Sequence, residues 1–512
     1  MPEMPHITQV AFGTANYAVL FLYLVLMLAI GWWFGRRVKG TRGFFVAEGR
    51  MGSVVVGLSL LGTYLSSLTM MALPGVAFGN DDMLWSIQLP FLLLTAFIIT
   101  RWVLPRYRAA GVVSVYEYLE QRIHVSARLL ASTAFLALQI GRMGLVLYLP
   151  ALAFSITTGA PLVPTIVAMG IVVTLYAVYG GIEAVIWTDA AQVVILTAGA
   201  LVSLFYIFPA FGATGQSFGA LAAEHHKLRM VDWSLDIRKI GTVWLVLQTI
   251  FETIRIYGTQ QDMTQRYMAT DSTAKANRSV WISILGYIPL GFLFYFIGAA
   301  LYLYYQAVNG PTMGPDIAEL VAHKREDAIY PYFIIQTLPG GMAGLVIAAI
   351  WAAAQSTLSS SMNSCSTVCI EDFYKRFWGR GREDRHYLRV ARWLTLVWGA
   401  AQIGMALVFI RIQSAQVQWT KIMGATANGI LALMALAFLP FRVRWWAAVG
   451  GFVLCYASFL VLWFTKTPIH SLLWTVIGNL ICFFGALLLN WIGSLLEAPK
   501  QPTPDAPEET AG

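Results

Sequence analysis

Apolar residues in this chain gather into long runs separated by short polar stretches, with no sustained strand alternation. A run of about twenty apolar residues matches the hydrocarbon thickness of a bilayer when wound as a helix. Runs of this kind cover 14–35, 51–78, 82–103, 125–157, 161–180, 187–212, 240–262, 278–306, 329–371, 388–411, 414–440, 443–465 and 471–495. The pattern predicts an all-α polytopic membrane protein with about thirteen spans. Several runs are longer than a bilayer requires, so their ends project into water or the helix breaks within the membrane. One transmembrane domain is expected over 1–496. The tail 497–512, Pro-rich and acidic without aromatics, is expected to be disordered.

Composition agrees. The 512 residues are 58% hydrophobic and 12% charged, with mean hydropathy +0.66; soluble proteins carry about 25% charged residues. The N-terminus "MPEMPHITQVAFGT" lacks a basic segment and the first run is long enough to span, so it reads as a membrane helix rather than a cleaved signal. Cys365, Cys369, Cys455 and Cys482 lie in or beside apolar runs and read as small apolar residues. The net charge of +8 is not a nucleic-acid footprint, because the basic residues collect in alternate loops. With the N-terminus outside, the inner loops and tail carry 23 Lys and Arg against 8 outside. "DMTQRYMATDSTAKANRS" is one of those inner loops. The positive-inside rule then places the N-terminus outside and the C-terminus in the cytoplasm of a plasma or inner membrane. The outer loops 213–239 and 307–328 each have room for a short helix.

Polar side chains inside spans are costly and face a cavity or another helix. Residues 57–75, "GLSLLGTYLSSLTMMALPG", pack Ser59, Gly62, Thr63, Tyr64, Ser66, Ser67 and Thr69 into an apolar run. Such a segment either unwinds and offers backbone carbonyls to a cation or packs closely through small residues. In "AAIWAAAQSTLSSSMNSCST", residues 348–367, Ala353, Ser356, Thr357 and Ser360 share one helix face, flanked by Ser359 and Asn363. A row of hydroxyls suits Na⁺, a hard cation, or serves packing alone. Arg142 lies near the middle of the apolar stretch Leu129–Phe154, where a guanidinium costs at least about 2.5–3.5 kcal/mol. Its counter-charge is either a carboxylate on another helix or a substrate carboxylate held bidentately. Asp189, in "GGIEAVIWTDAAQ", sits about one turn inside its span, as a cap, a pair or a cation ligand; Glu183 falls in a short solvated turn. Glu252 and Arg255 read as a local ion pair. Gln88 could bond a helix or a ligand equally well.

"GGIEAVIWTDAAQ", "DMTQRYMA" and "AAAQSTLSSSMNSCSTVCIEDFY", in this order, resemble the signature stretches of the sodium:solute symporter family, over about residues 10–495. The resemblance implies a LeuT-type 5+5 inverted repeat, with one extra N-terminal and two extra C-terminal helices. Residues 242–257 contain neither Gly nor Pro, so the break expected in the sixth core helix is not legible. By motif, a first Na⁺ site is implied at the carbonyls of Gly62, Leu65 and Ala353 with the hydroxyls of Ser356 and Thr357. A second is implied at Asp189, Ser356, Ser359 and Ser360. Within the family, "QIGRMGLVLYLPALA" and "GTYLSSLTMMALPG" look most like the sialic-acid transporters. That likeness implies Arg142 on the substrate carboxylate, with Thr63, Ser66, Thr69 and Gln88 about the sugar.

The function so implied is Na⁺-coupled symport of a small carboxylate-bearing solute, sialic acid first, by alternating access, with no cofactor besides the coupling ion. Another solute (a monocarboxylate, a neutral sugar or a polyol) and a symporter-like sensor module stay open. A sensor would need an output domain, and a Na⁺ leak would give substrate-independent current. A membrane enzyme would need a nucleophile–base or metal constellation, and none of the seven histidines falls mid-span.

Overall fold

The computed structural model describes residues 7–36, 38, 40–79, 82–239, 241–411, 422, 426, 428–465 and 467–496. The longer helices are α1 (Thr14–Gly35), α2 (Ser53–Tyr64), α3 (Ser67–Phe78), α4 (Leu84–Ala110), α5 (Val125–Thr158), α6 (Leu162–Ile207) and α7 (Thr242–Thr259). They continue with α8 (Gln261–Met268), α9 (Thr273–Asn309), α10 (Ile329–Thr337), α11 (Met342–Val368), α12 (Asp384–Phe409), α13 (Ile430–Ala437), α14 (Trp445–Phe464) and α15 (Leu472–Leu496). No strand occurs among the described residues. The burial pattern is that of a protein solvated by lipid: Phe205 is 74% exposed while Ser59, Ser356, Ser359 and Ser360 are at most 1% exposed. Backbone polar groups in hydrocarbon must be satisfied within the chain, which leaves helices as the spanning element here.

Nine helices among the described residues are long and apolar enough to cross a bilayer. The remaining runs divide for local reasons. Residues 51–78 split into α2 and α3 at Leu65, whose backbone is extended (φ −74°, ψ 109°). Ser66 opens α3 with a capping box: its N–H donates to Thr69 Oγ1 (3.3 Å), and its side chain takes the third backbone N–H. Residues 240–262 split at Gln260, also extended (φ −86°, ψ 135°), just beyond the stretch without Gly or Pro. Counted as the family resemblance implies, with α1 outside the core, the two breaks fall in the first and sixth core helices. The run 329–371 splits into α10 and α11 around Gly341 (φ +88°).

Three expectations are corrected. Runs 161–180 and 187–212 form two helices, but the turn between them shrinks to the non-helical Gly181 (φ 56°, ψ −162°), so both fall within the range given for α6. A β-carbon on Gly181 would lie 2.9 Å from the Phe44 ring and 3.0 Å from its carbonyl oxygen. Glu183 is therefore half-buried in a helix instead of solvated in a turn. Arg266, placed by the sequence reading in an inner loop, is fully buried on α8. The short helices allowed for in the two outer loops are Phe218–Glu224 and Pro315–Ala322. Of the run 414–440, residues 422, 426 and 428–440 are described; the tail 497–512 lies outside the described residues.

Candidate functional site

The breaks at Leu65 and Gln260 bring helix ends, exposed backbone and polar side chains to the middle of the bundle. There a cavity of about 210 Å³ opens between α3, α4, α5, α7 and α9. Ser66, Thr69, Gln88 and Arg142 all line it. Thr63 does not: its hydroxyl donates to the Ser59 carbonyl (2.8 Å) and lies 3.3 Å from Ser360 Oγ. The rest of the lining is aromatic (Tyr64, Trp85, Tyr287, Tyr295), amide or hydroxyl (Gln248, Thr249, Thr253, Gln260) and aliphatic, the last from leucines of α3 and α4 with Ala72 and Ile256. Gln88 is fixed on both sides, accepting from Thr249 Oγ1 (2.6 Å) and donating to Tyr295 Oη (2.9 Å).

Two arginines reach the cavity. Arg142 donates through Nη1 to Asp262 Oδ2 (2.9 Å) and through Nη2 to the Thr63 carbonyl (3.2 Å). Asp262 on α8 is completely buried. The counter-charge that Arg142 required is thus on another helix in this structure, and the guanidinium still forms part of the cavity wall. Arg255 makes the expected local pair, with Nε and Nη2 donating to the Glu252 carboxylate at 2.9 and 2.7 Å. Both members also line the cavity, which spacing along one helix could not reveal.

The residues of the first candidate cation site come together across α2 and α11. Ser356 Oγ donates to the Gly62 carbonyl (2.7 Å) and to the Ala353 carbonyl (3.3 Å), and Thr357 Oγ1 donates to the Ala353 carbonyl (3.3 Å). Leu65, buried, is the extended residue that ends α2. Gly62 also lets α2 approach α6: a β-carbon there would sit 3.1 Å from Val193 Cγ2 and 3.2 Å from the Asp189 carbonyl oxygen.

The second set converges around Arg266, which the sequence places among the loop charges and not in the site. Asp189 is fully buried, and its Oδ2 accepts from Ser59 Oγ (2.6 Å) and Arg266 Nη2 (2.8 Å). Arg266 Nη2 also donates to Ser360 Oγ, and its Nε donates to Ser59 Oγ (2.7 Å). Ser360 Oγ and Ser359 Oγ both donate to the Ser356 carbonyl (2.6 and 3.2 Å). Asp189 and Ser360 therefore share a guanidinium, while Ser356 stands one hydrogen bond from Ser360 and Ser359 two. Arg266 belongs to the "DMTQRYMA" stretch. Its place just after an apolar run disguised it as a loop charge, and only the packing of α8 between α2 and α11 buries it. Ser59 was visible among the hydroxyls of α2 but nothing in its spacing marked it.

Comparison with known proteins agrees with this geometry. Residues 44–448 match the sodium:solute symporter family. The sodium/sialic acid symporter SiaT of Proteus mirabilis is 32% identical over 86% of this chain and 88% of its own length. The sodium/sialic acid symporter NanT of Aliivibrio fischeri is 30% identical, covering 92% of each. The human sodium-coupled monocarboxylate transporter 1 is 30% identical over 85% of this chain and 71% of its own length. Among solved structures, a Na⁺-coupled sialic acid symporter in a substrate-bound outward-open state superposes with TM-score 0.85 at 29% identity, over 94% of this chain and 98% of that one. The closed, bromovinylhydantoin-bound transporter Mhp1 shares the fold at TM-score 0.55 and 14% identity. An all-helical core broken at two helices, with hydroxyls and a carboxylate buried behind a polar cavity, is what such a transporter requires, and the chain belongs to the sodium:solute symporter family.

Proposed function

We propose that this chain imports sialic acid, as its carboxylate anion, together with Na⁺ across a plasma or inner membrane, and that it is not an enzyme. The observation that carries this reading is the cavity wall: a buried arginine, Arg142, beside the hydroxyl and amide groups of Ser66, Thr69, Gln88 and Thr249. A guanidinium suits a carboxylate bidentately, and an array of fixed hydroxyls and amides suits the hydroxyls of a sugar. The relatives named for sialic acid transport support the same reading.

In this reading Na⁺ at the first site ties the carbonyls of Gly62 and Leu65 to Ala353, Ser356 and Thr357. It thereby joins α2 to α11, the two helices that Ser356 already links. A second Na⁺ takes Asp189, with Ser356, Ser359 and Ser360. Substrate enters from outside while Na⁺ orders this arrangement, and the two breaks let the bundle close on one side before opening on the other. The N-terminus faces out and the C-terminus in, as the asymmetry of loop Lys and Arg favours.

The test is a binding panel on the purified chain in Na⁺: N-acetylneuraminate, the neutral N-acetylmannosamine, and lactate. Binding of the first alone supports the assignment. Binding of lactate at equal or higher affinity replaces it with a monocarboxylate, the named cargo of the human relative. Preference for the neutral sugar removes Arg142 from the carboxylate role.

A further inference from the structure

Four buried charges lie in sequence between the cavity and the second cation set: Arg142, Asp262, Arg266 and Asp189. Arg142 pairs with Asp262 at 2.9 Å, and Arg266 pairs with Asp189 at 2.8 Å. Asp262 and Arg266 stand four residues apart on α8, acid before base, which is the favourable order for a local helix pair. They do not pair with each other. Each is taken by a charge on another helix, although Arg266 Nη1 already donates to the Asp262 backbone carbonyl at 2.6 Å. The guanidinium thus lies along the turn of helix that bears the Asp262 side chain.

These four groups admit two pairings, one complete among themselves and one completed by ligands. In one, seen here, Arg142 holds Asp262 and Arg266 holds Asp189. In the other, Asp262 holds Arg266, which leaves Arg142 open to an anion and Asp189 open to a cation. Every buried charge has a partner in the second pairing only when one anion and one cation have arrived. An unpaired buried charge is strongly unfavourable, so half-filled states are disfavoured. A Na⁺ on Asp189 with Arg266 still in place would also set two cations side by side in a low-dielectric interior.

We propose that Asp262 and Arg266 form an ion-pair relay that couples substrate to the second Na⁺. The arriving carboxylate takes Arg142 and releases Asp262. Asp262 then draws Arg266 off Asp189, and Asp189 accepts Na⁺. Thr63 lies on the same path, with its carbonyl on Arg142 and its hydroxyl 3.3 Å from Ser360 Oγ. In the first pairing Arg266 acts as a tethered stand-in for the ion beside Asp189. Neither Asp262 nor Arg266 need touch the transported molecules. Both are positioning residues, and both fall within the chain's own break-and-helix element around Gln260. The relay rests on the assignment of Arg142 to the substrate carboxylate and of Asp189 to Na⁺.

The experiment is equilibrium binding of N-acetylneuraminate to the full chain in lipid nanodiscs, at low and high Na⁺ with choline keeping ionic strength constant. In the wild type, Na⁺ tightens binding about fivefold or more, the usual lower bound for linked sites. No Na⁺-dependent binding of the acid in the wild type overturns the underlying site assignment and the relay with it. With that established, Asp262→Asn reports on the relay alone. Its binding at low Na⁺ equals or exceeds the wild type, because Arg142 has lost its competitor. Its enhancement by Na⁺ falls to that of Asp189→Asn, the value supplied by the first site. A wild-type enhancement in Asp262→Asn overturns the relay and leaves the site assignment standing. Arg266→Gln gives a second, opposite reading should Asp262→Asn fail to fold. Na⁺ alone then binds about fivefold or more tighter than to the wild type, and substrate tightens it no further at that site. Unchanged Na⁺ affinity in Arg266→Gln overturns the relay. A purely structural ion pair would lower the melting temperature in both variants without moving either linkage.

Discussion

At the scale of single residues, Arg142 and Arg255 face one cavity, and their roles separate by substitution. Arg142→Lys keeps a positive charge beside Asp262 and removes the planar fork. Binding of a carboxylate substrate should weaken by about 1.5–3 kcal/mol, the worth of a hydrogen bond to a charged group, with the melting temperature nearly unchanged. If Arg142→Lys binds as the wild type does, Arg142 is structural and Arg255 becomes the candidate clamp. Asp189→Asn leaves Arg266 buried without its counter-ion and should destabilise the protein by about 3–5 kcal/mol. In the protein that folds, the Na⁺ dependence of uptake should lose its second ion while the order of preferred substrates stays the same. Ser356→Ala removes the hydroxyl that bridges Gly62 and Ala353 and should weaken Na⁺ activation at both sites; unchanged activation would exclude Ser356 as a ligand. Arg142 was legible because a charge in the middle of a long apolar run demands a counter-charge. Its partner Asp262 was not, since a residue at the edge of an apolar run looks solvated until the helix beyond the break is seen folded inward. The same blindness hid Arg266.

At the scale of elements, the breaks define what the helices can offer. For the split at Leu65 the density of hydroxyls left unwinding and close packing both open, and the cap that Ser66 and Thr69 make appears only in the structure. The split at Gln260 could not be read, because it carries no Pro and follows Gly258 at the end of an amphipathic stretch. At Gly181 two glycines and a glutamate interrupt the apolar pattern and suggest a longer loop; in the structure the backbone is helical on both sides of this one residue. Its φ of 56° with ψ of −162° is a conformation that only glycine adopts readily. Gly181→Ala should cost about 1–3 kcal/mol in backbone strain, with further loss from the contact with Phe44, measured as a fall in melting temperature. Gly62→Ala tests the closeness of α2 to α6. The added methyl would meet Val193 and Asp189 at 3.1–3.3 Å, so overpacking should cost about 1–3 kcal/mol and lower Na⁺ affinity more than substrate affinity measured at saturating Na⁺. Equal Na⁺ affinity in Gly62→Ala would mean that its carbonyl does not face the ion.

At the scale of the whole molecule, the charges of cargo and ions decide what the transporter can concentrate. A carboxylate anion moved with one Na⁺ is electroneutral and draws only on the Na⁺ gradient, about 1.4 kcal/mol for a tenfold ratio. With two Na⁺ ions one net positive charge crosses, which adds about 2.3 kcal/mol per 100 mV to the second chemical gradient. The fold, the membrane setting and the family were legible because lipid imposes long apolar runs and because three motifs follow one another in order. The network that joins the two candidate sites was not, since its four charges come from three helices distant in sequence. The most direct measurement is uptake of labelled N-acetylneuraminate into liposomes containing the purified chain, with an inward Na⁺ gradient and an imposed potential. Uptake that needs the gradient and accelerates when the interior is made negative is the predicted result. Uptake that ignores Na⁺, or no uptake by a chain that binds the acid in Na⁺, would contradict the assignment of a Na⁺-coupled sialic acid symporter.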